Sequence, residues 1–320
     1  MNTTEVLSEF ASDVKEGLLQ FPKRLPSKYF YNEKGDYLFQ QIMHLEEYYL
    51  TNAEFEVFEE NKAEILKAFL GADGEFRLVE LGAGDGTKTK VLLNHFVSKE
   101  TKFTYSPIDI SGSVLYGLTN ALAQEIPALS VEPIKGDYFK ALAGLKRNNS
   151  MKEVVLFLGS NIGNFMGKSG ETFLRKLGED MSKGDLLLIG FDMMKNPEKV
   201  LAAYNDAMGV TREFNLNLLD RINEELGANF DRNNFQHFPT YDPITGETKS
   251  HLVSKCTQNV HIAALDETFE FKAWEAIHTE VSQKFSHQMI EQLAKHAGFR
   301  IVQNFTDSNE YFVDSLWEKL

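Results

Sequence analysis

The sequence predicts an α/β protein. A parallel sheet is covered by helices, an N-terminal helical part precedes it, and a smaller α+β unit is inserted before the chain returns to the sheet. Three observations carry this. Short apolar runs alternate with helical patterns between Phe76 and Phe191, as the buried strands and crossover helices of a parallel sheet do. The first of these runs ends in a cluster of glycines. The alternation stops at Asn196 and a helix and hairpin close the chain after Phe285. The expected domains are therefore 1–195 with 286–320, and 196–285.

Leu7, Phe10, Val14 and Leu18 recur at three- and four-residue steps, the spacing of an amphipathic helix. Phe21-Pro22 through Pro26 breaks that pattern. Thr51-Asn52-Ala53-Glu54 has capping-box spacing and announces a second helix whose apolar residues are Phe55, Phe58, Ile65, Leu66 and Phe69. Strands are expected at 76–81, 103–110, 130–134, 154–159 and 186–191, with helices at 88–97, 112–126 and 170–181 between them. Asn196-Pro197-Glu198 is a helix start with Pro at the first helical position. Roughly thirty residues of helical character follow, with Gly209 and Asn215 as candidate interruptions. Three long strands are expected from Lys249 to Phe285, then a helix over 286–297 stopped by Gly298, and a hairpin of 299–305 with 311–316.

Composition narrows the function. With 33 Lys and Arg against 47 Asp and Glu, the formal charge is −14, the opposite of the basic field a nucleic-acid surface needs. One cysteine, Cys256, excludes an intramolecular disulfide framework and a cysteine-rich zinc module. The acidic, polar segment 1–16 is unlike a signal peptide, and no apolar run approaches the roughly 18 residues of a membrane span. The expectation is a cytoplasmic protein, a monomer, acting on a small molecule, with no nucleic-acid or membrane partner.

The glycine cluster reads Val79-Glu80-Leu81-Gly82-Ala83-Gly84-Asp85-Gly86-Thr87-Lys88-Thr89. Glycines between a strand and a helix let the backbone turn tightly and approach a ligand closely. A phosphate-binding loop requires glycine immediately before the lysine, where this chain has Thr87. A dinucleotide fingerprint requires its third glycine one residue later than it falls here. Asp109 ends the next strand, where a carboxylate accepts hydrogen bonds from a ribose diol. Asp137 follows the third strand and could accept from an adenine amino group. The glycine loop and strand-end acids describe S-adenosylmethionine better than ATP or NAD, although each residue alone also reads as an ordinary loop residue.

Further motifs go beyond a cofactor domain. Phe21-Pro22-Lys23-Arg24-Leu25-Pro26-Ser27-Lys28-Tyr29-Phe30-Tyr31, Glu47-Tyr48-Tyr49-Leu50-Thr51, Leu158-Gly159-Ser160-Asn161-Ile162-Gly163-Asn164 and Thr279-Glu280-Val281-Ser282-Gln283-Lys284-Phe285 stand in this order. With them the chain resembles the histidine-specific Nα-methyltransferases of ergothioneine biosynthesis, from about residue 17 to the C-terminus. Fungal enzymes that methylate a prenylated tryptophan share the superfamily. The resemblance implies a Rossmann-like class I methyltransferase domain with a smaller substrate domain. It also implies three methyl transfers from S-adenosylmethionine to the α-amino group of L-histidine, giving hercynine. Carried over, the cofactor would meet Gly82, Lys88, Asp109, Asp137 and Tyr138. The amino and carboxylate groups of the substrate would meet Tyr48, Asn164 and Tyr204, with Tyr48 as the catalytic residue. The imidazole would lie against Tyr31 and Phe39 and bond Glu280 and Ser282.

The chemistry is compatible with this set. Methyl transfer to an amine is an in-line displacement that positioning and desolvation can drive; no metal site is expected, and the eight histidines show no His-Glu-x-x-His spacing. Glu280 and Ser282 are two apart, so in a strand they share a face about 7 Å apart, a reach that brackets an imidazole ring; the same pair also reads as part of a solvated strand. The rival readings are the same chemistry on another amino acid, such as a tryptophan derivative, and a non-catalytic S-adenosylmethionine-binding module. One departure stands out. The family pattern places a larger apolar residue near Ser250, and a small polar one there would enlarge or rewet the pocket.

Overall fold

The computed structural model describes residues 8–71, 74–109, 111–136, 138–148, 151–165 and 167–320. The chain opens with α1 (Glu9–Leu19), the two-residue strand β1 (Lys23–Arg24), α2 (Glu33–Met43) and α3 (Tyr49–Leu70). The alternating stretch follows as β2 (Glu75–Leu81), α4 (Thr89–Ser98), β3 (Lys102–Asp109), α5 (Gly112–Glu125), β4 (Ile134–Lys135) and α6 (Tyr138–Asn148). It continues with β5 (Glu153–Phe157), α7 (Ser169–Asp180) and β6 (Leu186–Asp192). Next come α8 (Pro197–Ala202), α9 (Val210–Leu226) and β7 (Phe235–Tyr241), β8 (Glu247–Ser254), β9 (Gln258–Ile262), β10 (Glu267–Phe271) and β11 (Ala276–Gln283). Helix α10 (His287–His296) and strands β12 (Phe299–Thr306) and β13 (Phe312–Lys319) end it. By packing, the chain divides into two compact units: Met1–Tyr49 with Lys195–Ser282, and Leu50–Met194 with Gln283–Leu320.

The second unit holds a seven-stranded sheet in the order β12-β13-β6-β5-β2-β3-β4. Strands β4, β3, β2, β5 and β6 run parallel, while β13 is antiparallel to both β6 and β12. Every residue of β5 and β6 is buried, as strands covered on both faces require. Alternate side chains supply two apolar layers. Leu78, Leu156 and Leu188 pack with Val57, Phe58 and Phe69 of α3, whereas Val79, Val155 and Ile189 pack with Leu174 and Leu177 of α7 and Ile290 of α10. The chain builds β2, β3 and β4 outward in one direction, then places β5 on the other side of β2. The strand order therefore reverses between β2 and β5, the point at which such sheets bind ligands.

Two features fasten this unit. Glu80, buried at the end of β2, accepts from Thr89 Oγ1 at 2.7 Å and from Tyr105 Oη at 2.5 Å, tying the start of α4 to β2 and β3. Burial raises the Glu80 pKa to about 7 against those two hydrogen bonds and the Lys88 charge. At the far end of β6, Lys284 Nζ lies 2.7 Å from Asp192 Oδ2, with both side chains fully excluded from solvent. Phe285 N donates to Asp192 O at 2.8 Å and Met194 N to Phe285 O at 2.8 Å. The chain thus leaves this unit and re-enters it at neighbouring, hydrogen-bonded positions.

The first unit carries a four-stranded sheet in the order β1-β11-β8-β7 and a separate β9–β10 pair. Sequence expected the N-terminal helices to belong with the large sheet. Helix α3 does so, but α1 and α2 group with residues 195–282, because the apolar face of α1 (Phe10, Val14, Leu18) packs into one cluster with Phe214, Leu218 and Ile222 of α9. Other expectations need correction. Helix α3 already begins at Tyr49, so Thr51 lies inside it; Phe55 keeps 40 % of its surface exposed and Glu54 is buried. Gly209, with φ of +75°, does interrupt the helical stretch as the N-cap of α9, but Asn215 sits inside α9, buried, donating to Thr211 O. The strand-rich segment holds four strands after residue 246 rather than three, since Asp266 turns the chain in the left-handed region between β9 and β10.

Both fastenings generate expected outcomes. Lys284→Met leaves Asp192 buried without its cation and should cost about 3–5 kcal/mol. A urea titration followed by Trp317, fully buried in this unit, in a Trp274→Phe background reads the loss; a midpoint equal to the parent's would show that the pair carries no stability. For Glu80 the folded pKa lies above the ordinary 4.5. Its protonated form is therefore the one the fold favours, with that contribution complete below pH 4.5 and lost as pH rises through about 7. Relative to Glu80→Gln, the parent should lose about 3 kcal/mol between pH 4.5 and 8 in chemical denaturation.

Candidate active site

The cofactor candidates that the structure describes collect at the carboxyl edge of the parallel sheet. Gly82 follows β2 with φ of +72°, and a Cβ there would lie 2.8 Å from Tyr138 Oη. Only glycine fits a left-handed position in such close approach. Gly82 N donates to Ile108 O at 2.9 Å, and Gly136 N to Asp109 O at 3.0 Å, so the ends of β2, β3 and β4 are laced together. Asp109 is half-buried and its Oδ1 accepts from Ser111 N at 2.8 Å. Gly82, Asp109 and Tyr138 are therefore brought together; Asp137 lies outside the described residues. A cradle without Cβ atoms beside a strand-end carboxylate, at the reversal of strand order, fits a nucleoside carrying ribose hydroxyls.

Lys88 is half-buried and paired. Its ammonium pairs with the fully buried carboxylate of Glu54 on α3. Burial opposes its charge, but Glu54 and, more weakly, Asp314 and Glu80 reverse that and hold its pKa above the ordinary lysine value. The other Glu54 oxygen accepts from Gly159 N, at the end of β5, at 2.7 Å. Asn164 closes the short 3-10 turn Asn161–Asn164 that follows and is exposed.

The remaining substrate candidates fall in the first unit. Tyr31 and Phe39 meet edge to face with ring centroids 5.7 Å apart, and Phe39 and Tyr48 at 6.3 Å. Phe214 of α9 packs against Tyr31 at 5.7 Å and Phe39 at 5.9 Å. Tyr31 keeps 43 % of its surface exposed, yet enough atoms surround its hydroxyl that burial, then the charges of Glu280, Asp36 and Tyr204, push it above the usual tyrosine range. Glu280 and Tyr204 thus stand close to Tyr31. Tyr204 is buried in the turn between α8 and α9 rather than on a helix. Glu280 and Ser282 both lie in β11, half-buried and buried respectively. Ser250 is buried in β8 with no hydrogen-bond partner for its hydroxyl among the described residues, while its carbonyl accepts from Thr279 Oγ1 at 3.1 Å.

Sequence reasoning passed over Glu54, Asp314 and Phe214. The signal for Glu54 was its place on the apolar stripe of α3, three and four residues before Val57 and Phe58; a charge on that face needs a buried partner. Asp314 stands among the apolar residues of a central strand and carried the same signal. Phe214 carried none, since an aromatic on a helix is ordinarily core.

The comparisons with known proteins agree with this geometry. A family model described as histidine-specific, S-adenosylmethionine-dependent methyltransferase matches residues 10–319. The histidine N-alpha-methyltransferase of Mycolicibacterium smegmatis is 37% identical over 295 residues, covering 92% of this chain and 90% of that protein. Ergothioneine biosynthesis protein 1 of Schizosaccharomyces pombe is 32% identical over 298 residues, 91% of this chain but 38% of that longer protein. Among solved structures, the mitomycin 7-O-methyltransferase MmcR matches with a TM-score of 0.50 at 10% identity, over 98% of this chain and 69% of that one; this likeness concerns the fold alone, a Rossmann-like class I methyltransferase. The sheet order, the glycine cradle and a family match spanning nearly every residue converge: the chain belongs to the histidine-specific, S-adenosylmethionine-dependent methyltransferases.

Proposed function

We propose that the protein transfers three methyl groups in succession to the α-amino group of L-histidine, giving hercynine, a step of ergothioneine biosynthesis. The observation that carries the reading is the connected aromatic cluster of Tyr31, Phe39, Tyr48 and Phe214, with the charge of Glu280 acting on the Tyr31 hydroxyl. The two similar proteins bear histidine and ergothioneine in their names, which supports the same substrate here. The enzyme is read as a monomer of the cytoplasm.

S-adenosylmethionine, when bound, supplies a methyl carbon on a sulfonium centre for in-line displacement. Gly82, Lys88, Asp109, Asp137 and Tyr138 are the residues assigned to hold it, Asp109 by accepting from the ribose diol and Lys88 by pairing with the carboxylate. Tyr48, Asn164 and Tyr204 are assigned to the amino and carboxylate groups of histidine. The Tyr48 hydroxyl orients the neutral amine, the form whose lone pair attacks. Glu280 and Ser282 select the imidazole through its two nitrogens: a carboxylate accepts from one N–H, and a hydroxyl donates to or accepts from the other nitrogen. Aromatic faces tolerate the quaternary ammonium that forms, since a ring quadrupole attracts a cation without binding it as tightly as a carboxylate would.

Incubation with histidine and S-adenosylmethionine should yield mono-, di- and trimethylated histidine by mass spectrometry. A product from tryptophan with none from histidine would transfer the reading to another amino acid, and cofactor binding without any product would make the chain a binding module. Glu280→Ala should raise the Michaelis constant for histidine by about 10- to 100-fold, the loss of one charge-assisted hydrogen bond, with S-adenosylmethionine affinity within about twofold of the parent. Equal weakening of both ligands would make Glu280 a residue of the fold.

A further inference from the structure

Four ionisable side chains meet behind the cofactor cradle, and the transfer chemistry uses only one of them. Glu54 comes from α3, Lys88 from the glycine loop, Glu80 from β2 and Asp314 from β13. Glu54 is fixed on both oxygens: one accepts from the Gly159 amide at 2.7 Å, the other pairs with the Lys88 ammonium. Its space is made by Gly190 on β6, where a Cβ would stand 2.8 Å from Glu54 Oε1 and 2.9 Å from the Phe312 ring. Asp314 is the registered neighbour of Gly190 across the β13–β6 pair. It is fully buried, and neither of its oxygens has a hydrogen-bond partner among the described residues. Burial and then the Glu54 charge push the Asp314 carboxyl well above its usual range, Lys88 opposing. Glu54, whose carboxylate pairs directly with the ammonium, is the counter-ion of Lys88.

Lysine carries a long, rotatable stem, and a free one gives up much of its freedom on meeting a ligand. Here that freedom is already lost. Lys88 Nζ lies 3.6 Å from the position a Gly159 Cβ would take, so one carboxylate sets both the cation of the loop after β2 and the amide at the start of the loop after β5. These are the two loops flanking the reversal of strand order.

We propose that Glu54 is a positioning residue for S-adenosylmethionine: its buried carboxylate ties Lys88 to Gly159 and presents the ammonium, already ordered, to the carboxylate of the cofactor's methionine end. The proposal rests on the assignment of Lys88 to the cofactor. Glu54→Gln keeps the shape and an acceptor for the Gly159 amide but removes the charge that holds the lysine.

The test is a double-mutant cycle on binding of S-adenosylhomocysteine, measured by calorimetry on the whole protein. Glu54→Gln and Lys88→Gln should each weaken binding about tenfold, the scale of a charge-assisted contact. The double variant should be within about twofold of the weaker-binding single, because Glu54 acts only through Lys88. In Glu54→Gln, at saturating S-adenosylmethionine, the Michaelis constant for histidine should stay within about twofold of the parent. If Glu54→Gln does not fold, Glu54→Asp, which keeps the charge on a shorter stem, takes its place in the cycle. Unchanged affinity in the Glu54 variant, or a Glu54 effect of full size when Lys88 is already gone, would overturn the proposal. Unchanged affinity in Lys88→Gln alone would remove Lys88 from the cofactor site, a failure of the premise that is visible separately.

Discussion

The ion pair between Lys284 and Asp192 is wholly shielded from water, and the rest of the chain path depends on it. Excluding two charges from solvent costs several kcal/mol unless geometry and further hydrogen bonds offset it. Here the pair sits where the chain closes on itself. Asp192 ends β6, the last strand before the chain departs, and Lys284 is the second residue after it returns. Backbone bonds from Phe285 N to Asp192 O and from Met194 N to Phe285 O run beside the pair. An excursion of some ninety residues therefore starts and finishes within one hydrogen-bonded patch, which makes an insertion compatible with a continuous sheet. A salt bridge of this kind earns its place through registry more than stability: an apolar pair would not oblige this lysine to meet this aspartate.

The same logic extends along the carboxyl edge of the sheet. The acids buried there are not interchangeable, because each is compensated differently. Glu80 accepts from two hydroxyls and its pKa is raised to about 7; Glu54 has a lysine and an amide; Asp192 has a lysine; Asp314 has no hydrogen-bond partner among the described residues, and burial pushes its carboxyl well above the usual range. A low-dielectric setting makes an unpaired charge costly and a paired one strong. The two lysines are consequently committed to particular partners, and the loops that carry them take one arrangement. Order in the cofactor cradle comes from groups that do not themselves touch the reacting atoms.

Much of the fold was legible in the sequence because its signals are local. Apolar runs of strand length between helical patterns predicted the sheet from Phe76 to Phe191, and Asn196-Pro197 predicted the start of α8, where Asn196 does cap Glu198 N. Gly82 and Asp109 could be read because a strand end and a glycine turn are both sequence features. What could not be read was nonlocal. The grouping of α1 with α9 depends on which apolar face covers which, and periodicity reports a face without naming its partner. Thr51 and Glu54 satisfied a capping-box spacing by coincidence; the helix starts earlier, and its carboxylate turns inward to a lysine 34 residues away. Tyr204 looked helical because Gly209, not Ala202, was the visible break.

A formal charge of −14 invites the reading that acidity serves the surface, and most of it does. The acids that decide this structure are the few drawn inside. Asp185 shows how: its carboxylate accepts from Glu153 N at 3.0 Å and from Ser182 N at 2.6 Å, joining the starts of β5 and β6 at the end of the sheet away from the cradle. Buried carboxylates thus fasten β5 and β6 near both ends: Asp185 through two amides at the amino end, and at the carboxyl end Glu54 through an amide and Lys88, and Asp192 through Lys284. Of the two lysines at the carboxyl end, Lys284 is wholly buried and Lys88 keeps 24 % of its side chain exposed, so Lys88 alone is placed to share its charge with the cofactor carboxylate to which we assign it.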